Sequence, residues 1–144
     1  GDVDGDGAAD VSTANNTGTG TIVLGDGAGH LGIAQTYGID PLGLATDLGD
    51  LDGDGDLDWI TASFSGDWFL FLNDGAGNFT FDREFPAPEA ASCSLMMDLD
   101  NDGDLDLALI DEIADQVVLL ENVGSIFTDG FESGDASRWS ASSP

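Results

Sequence analysis

Short apolar runs, bounded by Gly, Asn, Asp or Ser, recur along most of this chain. In its middle part the runs are Trp59–Phe64, Trp68–Leu72 and Phe79–Phe85, and further runs are Leu42–Leu48 and Ser92–Met97. Each run has the length of an ordinary strand and is bounded by turn-forming residues. The pattern therefore predicts antiparallel strands joined by hairpins.

Two of the predicted strands show no alternation of apolar and polar residues. Trp68-Phe-Leu-Phe-Leu72 and Val117-Val-Leu-Leu120 are apolar throughout, which is typical of strands that are buried on both faces. Sheets that stack on one another would bury them in this way. Residues 112–121 could also be written as a helix, but Val117 and Val118 favour a strand because they are β-branched. We therefore predict an all-β fold.

A nine-residue acidic loop occurs three times, with its first residue at positions 2, 50 and 98, an interval of 48 residues each time. The second copy reads Asp-Leu-Asp-Gly-Asp-Gly-Asp-Leu-Asp. Positions one, three, five and nine are Asp in every copy, whereas position seven is Ala8, Asp56 or Asp104. Repetition at a fixed interval indicates a repeated structural unit.

The shared Asp residues predict a metal site in each loop. Neighbouring carboxylates repel one another unless a cation lies between them, and Ca²⁺ takes about six to eight oxygen ligands. A variable position seven is expected where the ligand is the main-chain carbonyl, and Gly55 allows the sharp turn. The predicted ligands of three Ca²⁺ ions, one for each loop, are Asp2, Asp4, Asp6, Ala8 and Asp10; Asp50, Asp52, Asp54, Asp56 and Asp58; and Asp98, Asp100, Asp102, Asp104 and Asp106.

Other interpretations of the loops fit less well. An EF-hand needs an acidic ligand at position twelve, where this chain has Thr13, Thr61 and Leu109. Mg²⁺ prefers an octahedron that includes several waters, and Zn²⁺ prefers nitrogen and sulfur ligands. A solvated acidic loop would not need apolar residues at positions two and eight. We expect these residues to point inwards as anchors: Val3, Leu51, Leu99, Ala9, Leu57 and Leu105.

A Gly-rich turn repeats in the same register as the loops. Leu24-Gly-Asp-Gly-Ala-Gly-His-Leu31 matches Leu72-Asn-Asp-Gly-Ala-Gly-Asn-Phe79, and Leu120–Phe127 is a degenerate third copy. Over residues 1–128 the loops, strands and turns resemble the FG-GAP/VCBS repeats of integrin α-subunit propellers and of many bacterial secreted proteins. The resemblance implies β-propeller blades of four antiparallel strands, in which the loop joins the innermost strand to the next and binds calcium.

The repeat interval and the resemblance together divide the chain into four parts. These are repeat 1 (residues 1–48, without its innermost strand), repeat 2 (49–96), repeat 3 (97–128, degenerate at its end) and a tail (129–144). Three repeats are fewer than the closed ring of about six to eight blades that the family usually forms, so we expect them to belong to a larger propeller. The tail resembles C-terminal sorting or anchoring tails of exported bacterial proteins.

The charge balance limits the range of partners. The 144 residues include 29 Asp and Glu against two Lys or Arg, which gives a formal net charge of −27. Nucleic acids and anionic membrane surfaces bind clustered Lys and Arg, so neither is expected as a partner. No apolar run is long enough to span a bilayer, and the single cysteine, Cys93, leaves no disulfide framework. Metal binding should offset part of the repulsion and so be coupled to folding.

Candidate catalytic residues are few. His30 is the only histidine and lies in a Gly-rich turn, where repeat 2 has Asn78, so a turn residue is the favoured interpretation. Trp59 and Trp68 could stack on sugars if they were exposed, but their place within strands favours the core. We expect a non-catalytic, calcium-binding propeller module of a bacterial protein, secreted or at the cell surface, that mediates adhesion by binding a protein or glycan. The alternative is an accessory module of a secreted enzyme whose catalytic domain lies upstream.

Overall fold

The computed structural model describes residues 1–123 and the strand Ala141–Ser142, and within these residues it contains eleven β-strands and no helix. The strands form three antiparallel sheets, so the predicted all-β fold is confirmed. Sheet 1 consists of β1 (Val11–Asn15), β2 (Thr19–Val23) and β3 (Gln35–Gly38). Sheet 2 consists of β4 (Gly43–Gly49), β5 (Asp58–Ser63), β6 (Trp68–Asn73) and β7 (Phe79–Phe85). Sheet 3 consists of β8 (Ala91–Met97), β9 (Asp106–Asp111), β10 (Gln116–Leu120) and β11 (Ala141–Ser142).

Each acidic loop leads into the corresponding strand of one sheet. Loop 1 (residues 2–10) leads into β1, loop 2 (50–58) joins β4 to β5, and loop 3 (98–106) joins β8 to β9. The strands β1, β5 and β9 are therefore equivalent, as are β2, β6 and β10. Sheet 1 as described has no counterpart of β4 or β8.

Sheets 1 and 2 pack face to face through an aromatic cluster. Trp59 and Phe71 lie opposite each other in β5 and β6, and their rings stack with centroids 4.9 Å apart. Tyr37 of sheet 1 meets both rings edge-on, at 5.7 and 5.5 Å. Trp59 also covers Gly20, where a Cβ would clash with the indole ring, so only glycine fits there. The buried members of this cluster are Val3, Ile22, Trp59, Phe69, Phe71 and Phe79.

Sheets 2 and 3 pack through a second, mostly aliphatic cluster. Because side chains alternate along a strand, β5 turns Trp59 towards sheet 1 and Ile60 towards sheet 3, and β6 does the same with Phe71 and Leu70. The prediction that this strand is buried on both faces is confirmed. The buried members of the second cluster are Leu51, Ile60, Ala62, Trp68, Leu70, Ala91, Leu107 and Leu109.

The second run without alternation, Val117–Leu120, is buried on one face only. Residues 116–120 form the strand β10, as predicted, but the expectation that Val117–Leu120 is buried on both faces is wrong. Val118 and Leu120 pack against the second cluster, whereas Val117, on the opposite face, is 47% exposed. No described sheet covers that face of sheet 3.

The predicted tail, residues 129–144, lies outside the described residues except for β11. In this strand Ser142 and Ala141 pair with Leu119 and Leu120 of β10. The end of repeat 3, from residue 124, also lies outside the described residues, so the sorting role of the tail stays a prediction.

Candidate metal centre

Each acidic loop is shaped by hydrogen bonds between its own carboxylates and its own backbone. In loop 2, Asp52 Oδ1 accepts a hydrogen bond from the Asp54 N–H at 3.1 Å, and Asp54 Oδ1 accepts one from the Asp56 N–H at 2.9 Å. Asp50 reaches further and accepts from the N–H groups of Gly53 and Gly55 at 2.8 and 3.0 Å. Bonds from positions five and seven to the carboxylates two residues earlier recur in loops 1 and 3. In turns of this kind the backbone N–H groups point towards Asp carboxylates earlier in the same loop, which curves the backbone around these oxygens.

Two positions in every loop have a left-handed backbone. In loop 2 these are Gly53, with φ of 78°, and Gly55, with φ of 98°. In loop 3 Asn101 takes the first of these positions, with φ of 64°, because Asn tolerates this region better than other non-glycine residues. The sequence pattern predicted the turn at position six, but it did not predict that position four also needs a left-handed backbone. The recurrence of Gly, Gly and Asn at position four was its signal.

The loops bring carboxylate oxygens together in three places. One oxygen each from Asp50, Asp52 and Asp58 lie within 4.8 Å of one another, and Asp98, Asp100 and Asp106 form the same group in loop 3. In loop 1 the group consists of Asp2, Asp4 and Asp6. Such a cluster of acidic side chains could hold a metal ion. The remaining predicted side-chain ligands, Asp10, Asp54 and Asp102, lie outside these groups of three.

The Asp at position nine has a second task that the sequence did not reveal. Asp58 is fully buried, and it accepts hydrogen bonds from the N–H groups of Leu51 at 3.0 Å and of Asn73, at the end of β6, at 3.0 Å. Asp106 bonds Leu99 and Asn122 in the same way, both at 2.7 Å. Asp10 does so with Val3 and Gly25. The carboxylate at position nine therefore accepts hydrogen bonds from two places. One is position two of its own loop, and the other is the chain at or just after the end of β2, β6 or β10 in the same sheet.

Asn73 and Asn122 extend this connection to the preceding sheet. The Asn73 side-chain amide donates to the carbonyl of Val3 in loop 1 at 2.7 Å, and that of Asn122 donates to the carbonyl of Leu51 in loop 2 at 3.0 Å. Both residues are buried. A backbone carbonyl at position two of one loop thus accepts a hydrogen bond from the next sheet.

The two apolar positions of the loops face opposite neighbours. Val3 and Leu51, at position two, are buried against the next sheet, whereas Leu57 and Leu105, at position eight, are half-buried against the preceding one. The prediction that all six anchors point inwards is wrong in two cases. Leu99 is 37% exposed and Ala9 is exposed, because no described sheet follows loop 3 or precedes loop 1.

Burial and mutual repulsion disfavour the ionised form of several loop carboxyls. Burial is the main cause that raises the pKa of Asp58 to about 6, against hydrogen bonds from Asn73 and Leu51 that lower it. Burial, then the nearby Asp102, raises the pKa of Asp104 to about 6. Asp2 Oδ1 and Asp104 Oδ1 are buried without a hydrogen-bond partner. A cation bound in the loops would favour the ionised form of Asp58 and Asp104 by its charge, and it could accept a lone pair of Asp2 Oδ1 directly.

The pKa of Asp58 predicts how the metal-free chain responds to pH. Because this pKa is raised to about 6 from about 3.8, the folded chain holds a proton that the unfolded chain releases. The resulting stabilisation is complete below pH of about 3.8 and is lost as the pH rises through about 6. We expect the unfolding temperature in metal-free buffer to fall between about pH 5 and pH 7.5. Thermal unfolding followed by circular dichroism at several pH values measures this, and a rise over the same range would contradict it.

The remaining candidate residues have structural surroundings. His30 Nδ1 lies 2.7 Å from Asp26 Oδ2 in an exposed turn, and the equivalent Asn78 bonds Asp74 in the same way, so His30 is a turn residue as predicted. Trp59 and Trp68 are 0% and 1% exposed, so neither can stack on a sugar. Burial alone would raise the pKa of Asp111, but N–H groups including those of Ala114 and Ala90 outweigh burial and lower it.

Comparison with protein families gives one match. A sequence model of the FG-GAP-like repeat matches residues 2–61 and again residues 50–109. Each match begins at position one of a loop and runs through the following loop, and together the matches cover residues 2–109. No curated protein and no solved structure matches the chain. Within its described residues, the structure contains no helix long and apolar enough to cross a membrane.

Proposed function

This chain belongs to the FG-GAP-like repeat family, and we propose that it is a calcium-binding, β-propeller-like module that acts by binding rather than by catalysis. The observation that carries the proposal is the threefold recurrence of a carboxylate cluster in equivalent loops. Membership in the family supports the propeller-like architecture. The ion, its ligands and the role of the module are the proposed steps.

The geometry of the clusters supports calcium. Two oxygens on opposite sides of a Ca²⁺ ion, each at about 2.4 Å, are about 4.8 Å apart. The oxygens of Asp50, Asp52 and Asp58 lie within 4.8 Å of one another, so all three are close enough to be ligands of one such ion. The donors are all oxygen, which disfavours Zn²⁺. Further side-chain ligands would come from the predicted Asp residues outside these groups, and further main-chain ligands from the carbonyls at position seven: Asp10 and residue 8 in loop 1, Asp54 and residue 56 in loop 2, and Asp102 and residue 104 in loop 3.

The acidity of the chain supports a location where calcium is abundant. Three Ca²⁺ ions would offset six of the 27 excess negative charges. Calcium sites of extracellular modules often have Kd of about 10⁻⁴ to 10⁻³ M, and extracellular calcium fills such sites. We therefore place the chain in an exported protein, secreted or at the cell surface.

The binding surface of the module is proposed to include the hairpins at the far end of sheets 2 and 3. The β5–β6 hairpin contains Phe64-Ser-Gly-Asp67, whereas the β9–β10 hairpin contains Glu112-Ile-Ala-Asp115, in which Ile113 is 53% exposed. Equivalent loops that differ in sequence on a common scaffold are typical of recognition surfaces. Adhesion to a protein or glycan is the role that these hairpins and the family resemblance favour.

A pair of single substitutions in loop 2 tests the calcium sites. Asp52→Ala removes a side-chain ligand, so calorimetric titration should detect two Ca²⁺ ions per chain instead of three. Asp56→Ala is the matched control, because residue 56 is expected to contribute only its carbonyl and loop 1 already has Ala8 at this position. It should retain three ions with similar affinity. Equal losses in the two variants, or no calcium binding by the unmodified chain, would contradict the ligand assignment.

A further inference from the structure

Asn122 contacts loop 2 and loop 3 at the same time. Its main-chain N–H donates to Asp106 Oδ1, at position nine of loop 3, at 2.7 Å. Its side-chain amide donates to the carbonyl of Leu51, at position two of loop 2, at 3.0 Å. Asn122 is 4% exposed, so both hydrogen bonds are shielded from water. One residue therefore connects a predicted metal ligand of one loop to the backbone of another loop.

Asn73 makes the corresponding connection between loops 1 and 2. Its N–H donates to Asp58 Oδ1 at 3.0 Å and its side-chain amide to the carbonyl of Val3 at 2.7 Å. Within each loop the other oxygen at position nine accepts from the N–H at position two. Asp58 Oδ2 accepts from Leu51 at 3.0 Å, and Asp10 Oδ2 accepts from Val3 at 2.7 Å. The hydrogen bonds are therefore continuous from loop 1 to loop 3, and we call them the inter-loop network.

The inter-loop network reaches each metal cluster at two places. Leu51 lies between Asp50 and Asp52, whose carboxylates are clustered with that of Asp58. A hydrogen bond to the Leu51 carbonyl holds the peptide that leads into Asp52. On the other side of the same asparagine, Asp106 belongs to the cluster of loop 3. An ion in loop 3 would therefore hold the carboxylate that holds the asparagine, and the asparagine orients a ligand of loop 2.

Sheet 1 shows the same place without the side-chain amide. Gly25 donates its N–H to Asp10 Oδ1 at 2.7 Å, as Asn73 does to Asp58. Glycine has no amide to donate to another loop, so among the described residues the inter-loop network ends at loop 1. The hydrogen bond to position nine thus does not need an asparagine. The side-chain amide is the part that reaches the neighbouring loop.

We propose that Asn73 and Asn122 couple neighbouring metal sites, so that an ion bound in one loop strengthens binding in the adjacent loop. This inference rests on the proposed function, because it concerns the same calcium sites. Binding orders a loop at a cost in conformational entropy. A loop whose position-two peptide is already held by its neighbour loses less entropy when its own ion binds. Coupling of this kind is reciprocal, and it commonly changes affinity by about 5–150-fold.

Electrostatics alone predicts the opposite sign of coupling. A bound Ca²⁺ offsets negative charge that attracts the next ion, and two bound ions repel each other. Screening weakens both effects, because the Debye length is about 8 Å at about 0.15 M ionic strength. Exchanging an asparagine for glycine leaves these charges unchanged. A change in coupling on that exchange therefore reports on the hydrogen bonds and not on the charges.

Calorimetric titration with Ca²⁺ at about 0.15 M ionic strength measures the coupling between loops 2 and 3. A loop is switched off by replacing its Asp residues at positions one and three with Ala, which leaves position nine intact. Loop 1 is off in every chain, and single-site chains have loop 2 or loop 3 off as well. The coupling factor is the product of the two single-site Kd values divided by the product of the two stepwise Kd values of the two-site chain. We expect a factor of at least about five. The replaced pairs are Asp2 and Asp4, Asp50 and Asp52, and Asp98 and Asp100.

Two matched exchanges, each measured with its own single-site chains, identify the residue responsible. Asn122→Gly should lower the factor between loops 2 and 3 to about one, because it removes the side-chain amide and keeps the main-chain N–H. Asn73→Gly removes the same amide between loops 1 and 2, so it should leave the factor between loops 2 and 3 unchanged. Asn122→Ala, which also lacks the amide, takes the place of Asn122→Gly if circular dichroism shows that the glycine variant does not fold.

The outcomes separate this inference from the proposed function. Calcium binding with a factor near one in the chain that has both asparagines would overturn the inference alone, as would a factor that persists in Asn122→Gly. Equal loss of the factor in Asn73→Gly and Asn122→Gly would also overturn it, since coupling would then follow overall stability. If no chain binds calcium, the proposed function fails together with the inference.

Discussion

Thermal unfolding should occur at a far higher temperature in calcium than in EDTA. At 100 times Kd, each site that binds only the folded chain adds about 2.7 kcal/mol to the free energy of unfolding, so three sites add about 8 kcal/mol. For a chain of this size each kcal/mol raises the midpoint by roughly 2–8 °C. We therefore expect the midpoint to rise by more than about 15 °C at a calcium concentration about 100 times Kd, which is about 10–100 mM for sites with Kd of about 10⁻⁴ to 10⁻³ M.

Magnesium and sodium are the controls for this measurement. Mg²⁺ keeps several waters and prefers a strict octahedron, so it should reproduce only a small part of the shift. Sodium chloride at matched ionic strength corrects for simple screening, which alone stabilises a chain with a net charge of −27. The same midpoint in calcium, magnesium and EDTA would mean that the loops are acidic turns, and the proposed function would fail.

Much of the fold follows from the apolar pattern, because strand burial is recorded in the sequence itself. Trp68-Phe-Leu-Phe-Leu72 is apolar throughout because one set of its side chains faces sheet 1 and the other faces sheet 3. The same pattern in Val117–Leu120 led to a wrong prediction. The sequence records that a face is apolar, but whether that face is covered depends on a neighbour, and Val117 is exposed.

The spacing of the Asp residues located the loops but not the full role of each carboxylate. Asp52 and Asp58 are the same residue type in the same motif, yet Asp58 is buried and bonded to Leu51 and Asn73, whereas Asp52 bonds only its own loop. Backbone partners that are distant in the sequence cannot be deduced from spacing within the loop.

The role of Asn122 was hidden by a shift of one residue. The 48-residue interval aligns Asn73 with Glu121, but the β9–β10 hairpin is one residue longer: Ala108 pairs with Leu119, whereas its equivalent Ile60 pairs with Leu70. Asn122 therefore occupies the place of Asn73. A fixed repeat interval places the strands correctly and still misaligns the residue that joins one sheet to the next.

Asp58→Ala should be the most damaging single substitution in loop 2, and it should destabilise the chain with or without metal. The Asp58 side chain is 0% exposed and accepts hydrogen bonds from the N–H groups of Leu51, Asp52 and Asn73. The N–H groups of Leu51 and Asn73 are buried, and each buried N–H left without an acceptor costs about 1–3 kcal/mol. We therefore expect the free energy of unfolding in EDTA to fall by at least about 2 kcal/mol.

Asp52→Ala provides the matched comparison, since it removes the same carboxylate from the same loop. The side chain of Asp52 accepts one hydrogen bond, from the exposed Asp54 N–H, and burial raises its pKa. In EDTA this substitution should therefore change stability by less than about 1 kcal/mol, because water can replace Asp52 as acceptor. In calcium it should remove the contribution of one ion. Denaturant unfolding of both variants in EDTA and in calcium separates metal binding from hydrogen bonding to the backbone. Equal losses of stability in EDTA would show that the hydrogen bonds of Asp58 contribute no more to the fold than that of Asp52.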